Sequence, residues 1–403
     1  MELTRKDFPF FKRNPEVAYF DNAATTLKPQ GVIDAVVDYY ERLSANIHRG
    51  DYAASLETSN LYERTRSKIA GFIQTDPRNI VFTSGASESL NLVAYGYGKY
   101  NLHPGDVVLL SESEHASNTL PWFQLAEEIG IVVEYVPLDE TGRITLDSLE
   151  NALHEKVKVV SLAHISNVLG YINDIKAMAA RIHHHGAVFC VDGAQSIGHI
   201  PVDVADLDVD FFAFSAHKML GPTGVGVLYA KPEMFASMQP VSTGGGNNIR
   251  YNACGEVVFK DGPAKFESGT PNIEGVIGFG SAIDYLEKVG MENIHAMIQP
   301  LHQKALRALG AMEHVTVYNP YADSSIISFA VKGIFAQDVA VYLDSLNISV
   351  RSGEHCAKML NGVLHAEKSV RMSLYFYNTE VEIDRFIKAM EEITIEKAID
   401  VYL

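Results

Sequence analysis

Short apolar runs, rich in β-branched and aromatic residues, recur along the middle of the chain. They fall at Ile80–Phe82, Val107–Leu110, Val132–Val136, Val157–Leu162, Ala187–Val191, Phe211–Phe214 and Gly226–Tyr229. Longer stretches with apolar residues at helical spacing separate most of them, among them Glu88–Tyr97 and Asp174–His185. Strands alternating with helices predict an α/β fold with a mostly parallel sheet covered on both faces. The last run follows Gly224 after a short turn, which leaves an antiparallel course open to it. From Ile273 to Met312 the pattern is helical, with Gly290 as the expected break. Farther on, Ser324–Val331 and Ile348–Val350 read as strands and Val381–Ile393 as a helix, so a smaller α+β unit is expected. The division this suggests is a large domain over 19–292 and a small one formed by 1–18 with 293–403. There is no repeat, low-complexity stretch or flexible linker.

Composition narrows the setting. A chain of 403 residues, 47% hydrophobic and 21% charged, suits a two-domain globular protein with a large core. A formal charge of -17 argues against a nucleic-acid binder and against docking on anionic membranes. No apolar run approaches the length of a membrane span, and Met-Glu-Leu-Thr-Arg-Lys-Asp-Phe at the start lacks the apolar core of a signal peptide. Three cysteines do not make a disulfide framework. A cytoplasmic protein is expected.

The candidate chemistry gathers at strand ends. Asp210-Phe-Phe-Ala-Phe-Ser215-Ala-His217-Lys218 places a lysine just past an apolar run, where lysines are rare. Val188-Phe-Cys-Val191-Asp192-Gly-Ala-Gln195 places an aspartate at the end of another. Ligands of open parallel sheets bind outside such ends. Pyridoxal phosphate needs this pair, a lysine for the Schiff base and an aspartate to keep the pyridine nitrogen protonated. Taken alone, Asp192 is as readily a helix cap. Gln195 suits a hydrogen bond to a ring hydroxyl, and Ser215 and His217, two apart in an extended segment, suit one phosphate. Thr83-Ser84-Gly85-Ala86-Ser87-Glu88 opens a helix with small residues, a phosphate cradle or only a capping box. His115 follows another strand and offers a ring for stacking, or is a plain loop histidine.

Together these segments resemble the class V aminotransferase family of fold-type I pyridoxal phosphate enzymes, and more narrowly its Suf-type (group II) cysteine desulfurases. The resemblance also runs through Tyr19-Phe-Asp21-Asn22-Ala-Ala24-Thr-Thr, Asn46-Ile-His48-Arg49-Gly50, Ser113-Glu-His115-Ala-Ser-Asn118 and His164-Ile-Ser-Asn167-Val-Leu-Gly170. Phe266-Glu-Ser-Gly-Thr270-Pro-Asn272 and Arg351-Ser-Gly-Glu-His355-Cys356-Ala complete it. It implies an aspartate-aminotransferase-like fold with a seven-stranded, mostly parallel sheet. It implies Lys218 as the Schiff-base lysine, Asp192 as the partner of the pyridine nitrogen, Gln195 beside the ring oxygen and His115 as a stacking ring that also moves protons. Ala86, Ser87, Ser215 and His217 would form the phosphate shell. Thr270 would reach the phosphate of a neighbouring subunit, which implies a homodimer. Asn167 and Arg371 would bind the substrate carboxylate, with Ala24 and Arg351 beside them. No metal is implied.

Cys356 discriminates between reactions. Cys190 lies inside a strand and reads as a small buried hydrophobe, and Cys254 is provisionally read the same way. Cys356 lies among Gly, Glu, His and Lys in a polar segment. The resemblance implies that L-cysteine loses its sulfur to the Cys356 thiolate as a persulfide, leaving alanine, with Lys218 or His115 moving the Cα proton. The short stretch from Arg351 to Arg371 implies an acceptor protein that comes to the sulfur, SufE-like or SufU-like. Two positions depart from the family's pattern: Glu354 stands where a histidine is common, and Tyr52 closes His48-Arg49-Gly50-Asp51-Tyr52 where another histidine is common. A carboxylate beside the thiol would disfavour the thiolate. Rival functions are selenocysteine lyase, another class V reaction such as transamination or epimerisation, and a non-catalytic regulator of a sulfur-assembly complex.

Overall fold

The structure is a computed structural model that describes residues 5–364 and 368–402. Residues 1–4 and 403, which the expected small domain includes, and 365–367 lie outside the described residues. Seven strands form one sheet: β1 (Ile80–Thr83), β2 (Val107–Ser111), β3 (Val132–Val136), β4 (Val157–Ala163), β5 (Val188–Asp192), β6 (Phe211–Ser215) and β7 (Gly226–Ala230). Their order is β1-β7-β6-β5-β4-β2-β3. Only β7 is reversed, antiparallel to both β1 and β6. The expected mostly parallel seven-stranded sheet is present, and β7 takes the course left open for it.

Alternation of side chains explains why these runs are mostly apolar, Lys158 of β4 being an exposed exception. Val107 and Leu109 join one core while Val108 and Leu110 join another on the opposite face. The same split divides Phe212 and Phe214 from Phe211 and Ala213. Strands covered on both faces need apolar residues at every position. The edge strand β3 shows the converse, with Val132 exposed. Helices α1 (Gln30–Asp38), α2 (Ala53–Phe72), α3 (Ala86–Leu92), α4 (Ala116–Ile129) and α5 (Ile175–His184) lie between or beside these strands. Trp122 of α4, 1% exposed, packs in the core that holds Val108 and Leu110. Ile175, Met178 and Ile182 of α5 pack in the other. Each such fully buried side chain contributes on the order of 2 kcal/mol.

The helical stretch after Asn272 breaks at Gly290 as expected, into α6 (Ile273–Val289) and α7 (Met291–Gly310). The rest of the chain builds a second sheet. A hairpin of β8 (Asn248–Tyr251) and β9 (Val257–Phe259) stands apart from it. The second sheet comprises β10 (Val315–Val317), β11 (Ile326–Val331), β12 (Arg351–Gly353) and β13 (Ser369–Ser373), in the order β10-β11-β13-β12, all antiparallel. It packs with α8 (Ala336–Ser345) and α9 (Glu380–Glu392). The strand expected at Ile348–Val350 is present as Ile348–Ser349, and β12, which follows it, was not expected. Ile348–Ser349 pairs in parallel with Ala18–Tyr19, and Arg351 starts β12. The N-terminal segment is thereby tied to the second sheet, and Ser373 N donates to Phe20 O at 2.7 Å.

Candidate active site

The strand order reverses around β2 and β4, which leaves a crevice outside their C-terminal ends. Loops leaving β1, β2, β4, β5 and β6 meet there, and β12 and β13 of the second sheet close the other side. The pocket is lined by Ala24, Ala86, Ser87, His115, Asn167, Asp192, Gln195, Ser215, His217, Lys218, Arg351 and Arg371. Residues named from sequence across more than three hundred positions therefore share one cavity. Two do not line it. Cys356 is exposed beside it, while the neighbouring His355 is a wall residue. Thr270 is exposed elsewhere, within reach of Asn46 at 3.4 Å.

Lys218 ends the short turn that follows β6. The carbonyl of His217 accepts from Thr26 N at 3.0 Å, Thr25 Oγ1 at 3.0 Å, Thr26 Oγ1 at 3.1 Å and Lys28 Nζ at 3.0 Å. These bonds fix the peptide just before the lysine. Burial pushes the Lys218 amine down to about 8, against the pull of Asp192, and Arg371 and Arg351 add to the depression. Such an amine exchanges protons readily near neutral pH. Asp192 is buried at the end of β5, and its Oδ1 accepts from Ala194 N at 2.9 Å. Gln195 donates from Nε2 to Ala23 O at 2.9 Å, and its buried Oε1 has no partner.

His115 caps α4: its Nδ1 accepts from Ser117 N at 3.1 Å, so Nε2 carries the proton of the neutral ring. Burial holds this imidazole below its usual value, although Asp192 pulls the other way. Beneath it, Glu114 accepts from Ser111 Oγ at 2.8 Å and Asn118 Nδ2 at 2.7 Å, and burial raises its carboxyl to about 7. Asn118 in turn accepts from Ser161 Oγ at 2.6 Å, which pins the β2–α4 turn to β4. Ser215 Oγ accepts from Ala86 N at 2.7 Å, and Ser87 Oγ lies 2.6 Å from Ser117 Oγ. A Cβ on Gly226 would fall 2.3 Å from Gly85 Cα, so the close approach of β7 to this turn requires glycine. Burial, together with Lys218 and Lys28, pushes His217 down to about 4, so it offers a neutral donor.

The second sheet supplies positive charge. In its register Arg351 faces Arg371, a like-charged pair that costs the sheet stability. Arg371, 1% exposed, donates from Nη1 to Asn167 O at 2.9 Å and from Nη2 to Asp21 Oδ1 at 3.3 Å. Its buried Nε has no partner. Burial lowers this guanidinium to about 10, with Asp21 opposing the shift.

These residues fit pyridoxal phosphate. A near-neutral amine and a buried aspartate face one cavity, an unpartnered amide oxygen stands beside them, and small residues with hydroxyl and imidazole groups form one end. The class-V aminotransferase profile matches residues 18–386. The chain belongs to the class-V aminotransferase family. Among similar proteins of this family, a probable cysteine desulfurase of Halalkalibacterium halodurans is 43% identical over 377 residues, 93% of each chain. A cysteine desulfurase of Pectobacterium atrosepticum is 39% identical over 397 residues, 98% of each chain. The apo structure of cysteine desulfurase from Thermococcus onnurineus NA1 superposes with a TM-score of 0.92 at 38% identity, covering 96% of each chain. The Escherichia coli cysteine desulfurase CsdA, in its S-sulfonic acid form, gives 0.91 at 33% identity over 98% of each chain.

The departures from the family pattern find plain places. Glu354 Oε2 lies 3.4 Å from Lys358 Nζ at the surface. Tyr52 is exposed and precedes α2. Cys190 is buried in β5, where burial pushes its thiol up to about 12. Cys254, read as a buried hydrophobe, is instead exposed in the β8–β9 turn, where Cys254 N donates to Asn252 Oδ1 at 3.0 Å. The reading from sequence gave no role to Asp21, Glu114, Lys28 or His355. Asp21, Glu114 and His355 sat inside quoted motifs.

Proposed function

We propose that this chain is a pyridoxal-phosphate-dependent cysteine desulfurase that converts L-cysteine to L-alanine and takes the sulfur as a persulfide on Cys356. The observation that carries the reading is the exposed Cys356 turn at the rim of a pocket that holds Lys218, Asp192 and the Arg351–Arg371 pair. The named relatives support the same reaction.

Bound pyridoxal phosphate supplies an aldehyde that bonds amines and a ring that stores an electron pair. The rest falls to the chain. Ala86, Ser87, Ser215 and His217 would hold the phosphate, Gln195 would meet the ring oxygen, and Asp192 would keep a proton on the ring nitrogen. Arg371 and Arg351 attract the substrate carboxylate, with planar donors suited to it. Lys218, half ionised near pH 8, takes and returns the Cα proton. His115 offers Nε2 toward the pocket as a second proton carrier. The Cys356 thiolate attacks the substrate sulfur. An S–S bond forms as the substrate Cβ–S bond breaks, and the carbon skeleton leaves as alanine. One cysteine and one thiol thus become one alanine and one persulfide.

Cys356 is exposed, which suits delivery to an acceptor protein of the SufE-like or SufU-like kind, and iron–sulfur cluster assembly is the proposed destination. Exposed Thr270 beside Asn46 suits contact with a second subunit, so a homodimer is proposed. The two sheets suit the expected division into 19–292 and 1–18 with 293–403. Among the described residues no helix is long and apolar enough to cross a membrane, and a cytoplasmic location is proposed. The test is the reaction itself. Purified holoenzyme given L-cysteine should form alanine and transferable sulfur in equal amounts, and mass spectrometry should place one added sulfur on the Cys356 peptide. Alanine formed with sulfur only on Cys190 or Cys254 would refute the assignment.

A further inference from the structure

Arg351 and Arg371 face each other across β12 and β13, two cations for one substrate carboxylate. Among the described residues one carboxylate lies within ion-pair distance of either. It is Asp21, whose Oδ1 is 3.3 Å from Arg371 Nη2. Asp21 comes from the N-terminal segment, and its backbone is fixed. It pairs with Ser373, two residues past Arg371 on β13, and its carbonyl accepts from Ala24 N at 3.1 Å and Thr25 N at 3.3 Å. Burial raises its carboxyl, and Arg371 and Arg351 oppose the rise, so Asp21 feels both arginines. Its side chain is 25% exposed and does not line the pocket.

Two guanidiniums and one carboxylate leave one net positive charge, which a single substrate carboxylate cancels. Asp21 takes one donor of Arg371, while Nε stays buried without a partner. Given the proposed function, on which this rests, we infer that Asp21 is a specificity-determining residue whose charge trims the arginine pair to the hold that one carboxylate needs. Product alanine carries the same carboxylate as cysteine. An untrimmed pair would therefore retain product as firmly as it draws substrate. Asp21 and a bound carboxylate would share one guanidinium, and like charges so placed repel. Near a protein surface such a repulsion is worth about tenfold in affinity or more before solvent and salt screen it.

The experiment compares Asp21→Asn with wild-type holoenzyme. Asparagine keeps the Oδ1 acceptor for Arg371 and removes the charge. Affinities for L-alanine and for L-alaninamide, which lacks the carboxylate, are read from cofactor absorbance, and the ratio of the two is the measure. In the variant the ratio should shift in favour of alanine by about threefold to tenfold, the repulsion left after screening. An unchanged ratio would make Asp21 a structural residue only. A ratio shifted against alanine would make it a group that aims Arg371. Either result overturns the inference. Asp21→Ser, a second neutral replacement, carries the same expectation should Asp21→Asn not fold. A wild-type cofactor band that responds to neither ligand would instead overturn the proposed function, and the inference with it.

Discussion

Replacing Lys218 by methionine should stabilise the cofactor-free protein, and the gain should depend on pH. Methionine keeps the length of the stem and removes the amine. In the fold this amine titrates near 8, against an ordinary 10.5, because burial disfavours its charge more than Asp192 restores it. That gap corresponds to about 3 kcal/mol of folding free energy withheld at pH 7, where the amine is charged in both states. Between about pH 8 and 10.5 the unfolded chain holds the proton and the folded chain does not, so stability rises with pH through that window. By pH 10 the penalty falls to about 1 kcal/mol. Asp192 loses its cationic neighbour in the variant, so the measured gain lies below the full figure. The assay is urea unfolding of both apoproteins at pH 7 and pH 10. Cofactor must be absent, because a ligand that binds only the folded state adds its own stability. No gain at pH 7, or a gain equally large at pH 10, would refute the claim that a desolvated ammonium sits at Lys218. Confirmation would place this lysine among residues whose function is held at the expense of stability.

Three further outcomes are expected. Asp192→Asn should bind L-cysteine but lose at least about tenfold in turnover, because a neutral amide does not hold a ring proton by charge; stopped-flow absorbance with steady-state kinetics checks this, and unchanged turnover removes the role. Cys356→Ser should bind cysteine with a normal absorbance change yet release almost no alanine, while any selenocysteine lyase activity persists; alanine analysis with both substrates decides. Glu354→His should move the pH midpoint of Cys356 alkylation by less than about half a unit, since Glu354 pairs with Lys358 at the surface and exposed pairs carry little energy; a midpoint displaced by a full unit would show that its carboxylate acts on the thiol.

The large sheet was legible because every one of its strands carries its own apolar run, and strands covered on both faces leave no gap in that run. The candidate site residues at its strand ends were legible for the same reason: Lys218 and Asp192 stand out against the apolar runs before them. The second sheet was harder. β13 reads Ser-Val-Arg-Met-Ser, and its central Arg371 hides a buried strand. That arginine is tolerated there because Asn167 O and Asp21 neutralise two of its donors, partners some two hundred and three hundred and fifty positions away. β12 was missed because Arg-Ser-Gly carries no apolar run of its own.

The cysteine turn shows most clearly where local reading stops. Gly353 has φ 124°, which glycine takes at no steric cost. Positive φ also falls on His355 and Cys356, residues with no intrinsic preference for it. Their carbonyls accept from loops of the other sheet, His355 O from Asn167 Nδ2 and Cys356 O from Ala116 N. A site divided between two sheets thus obtains its cofactor groups from strand ends that sequence pattern reveals. The backbone contacts of its cysteine turn exist only once both sheets are packed together.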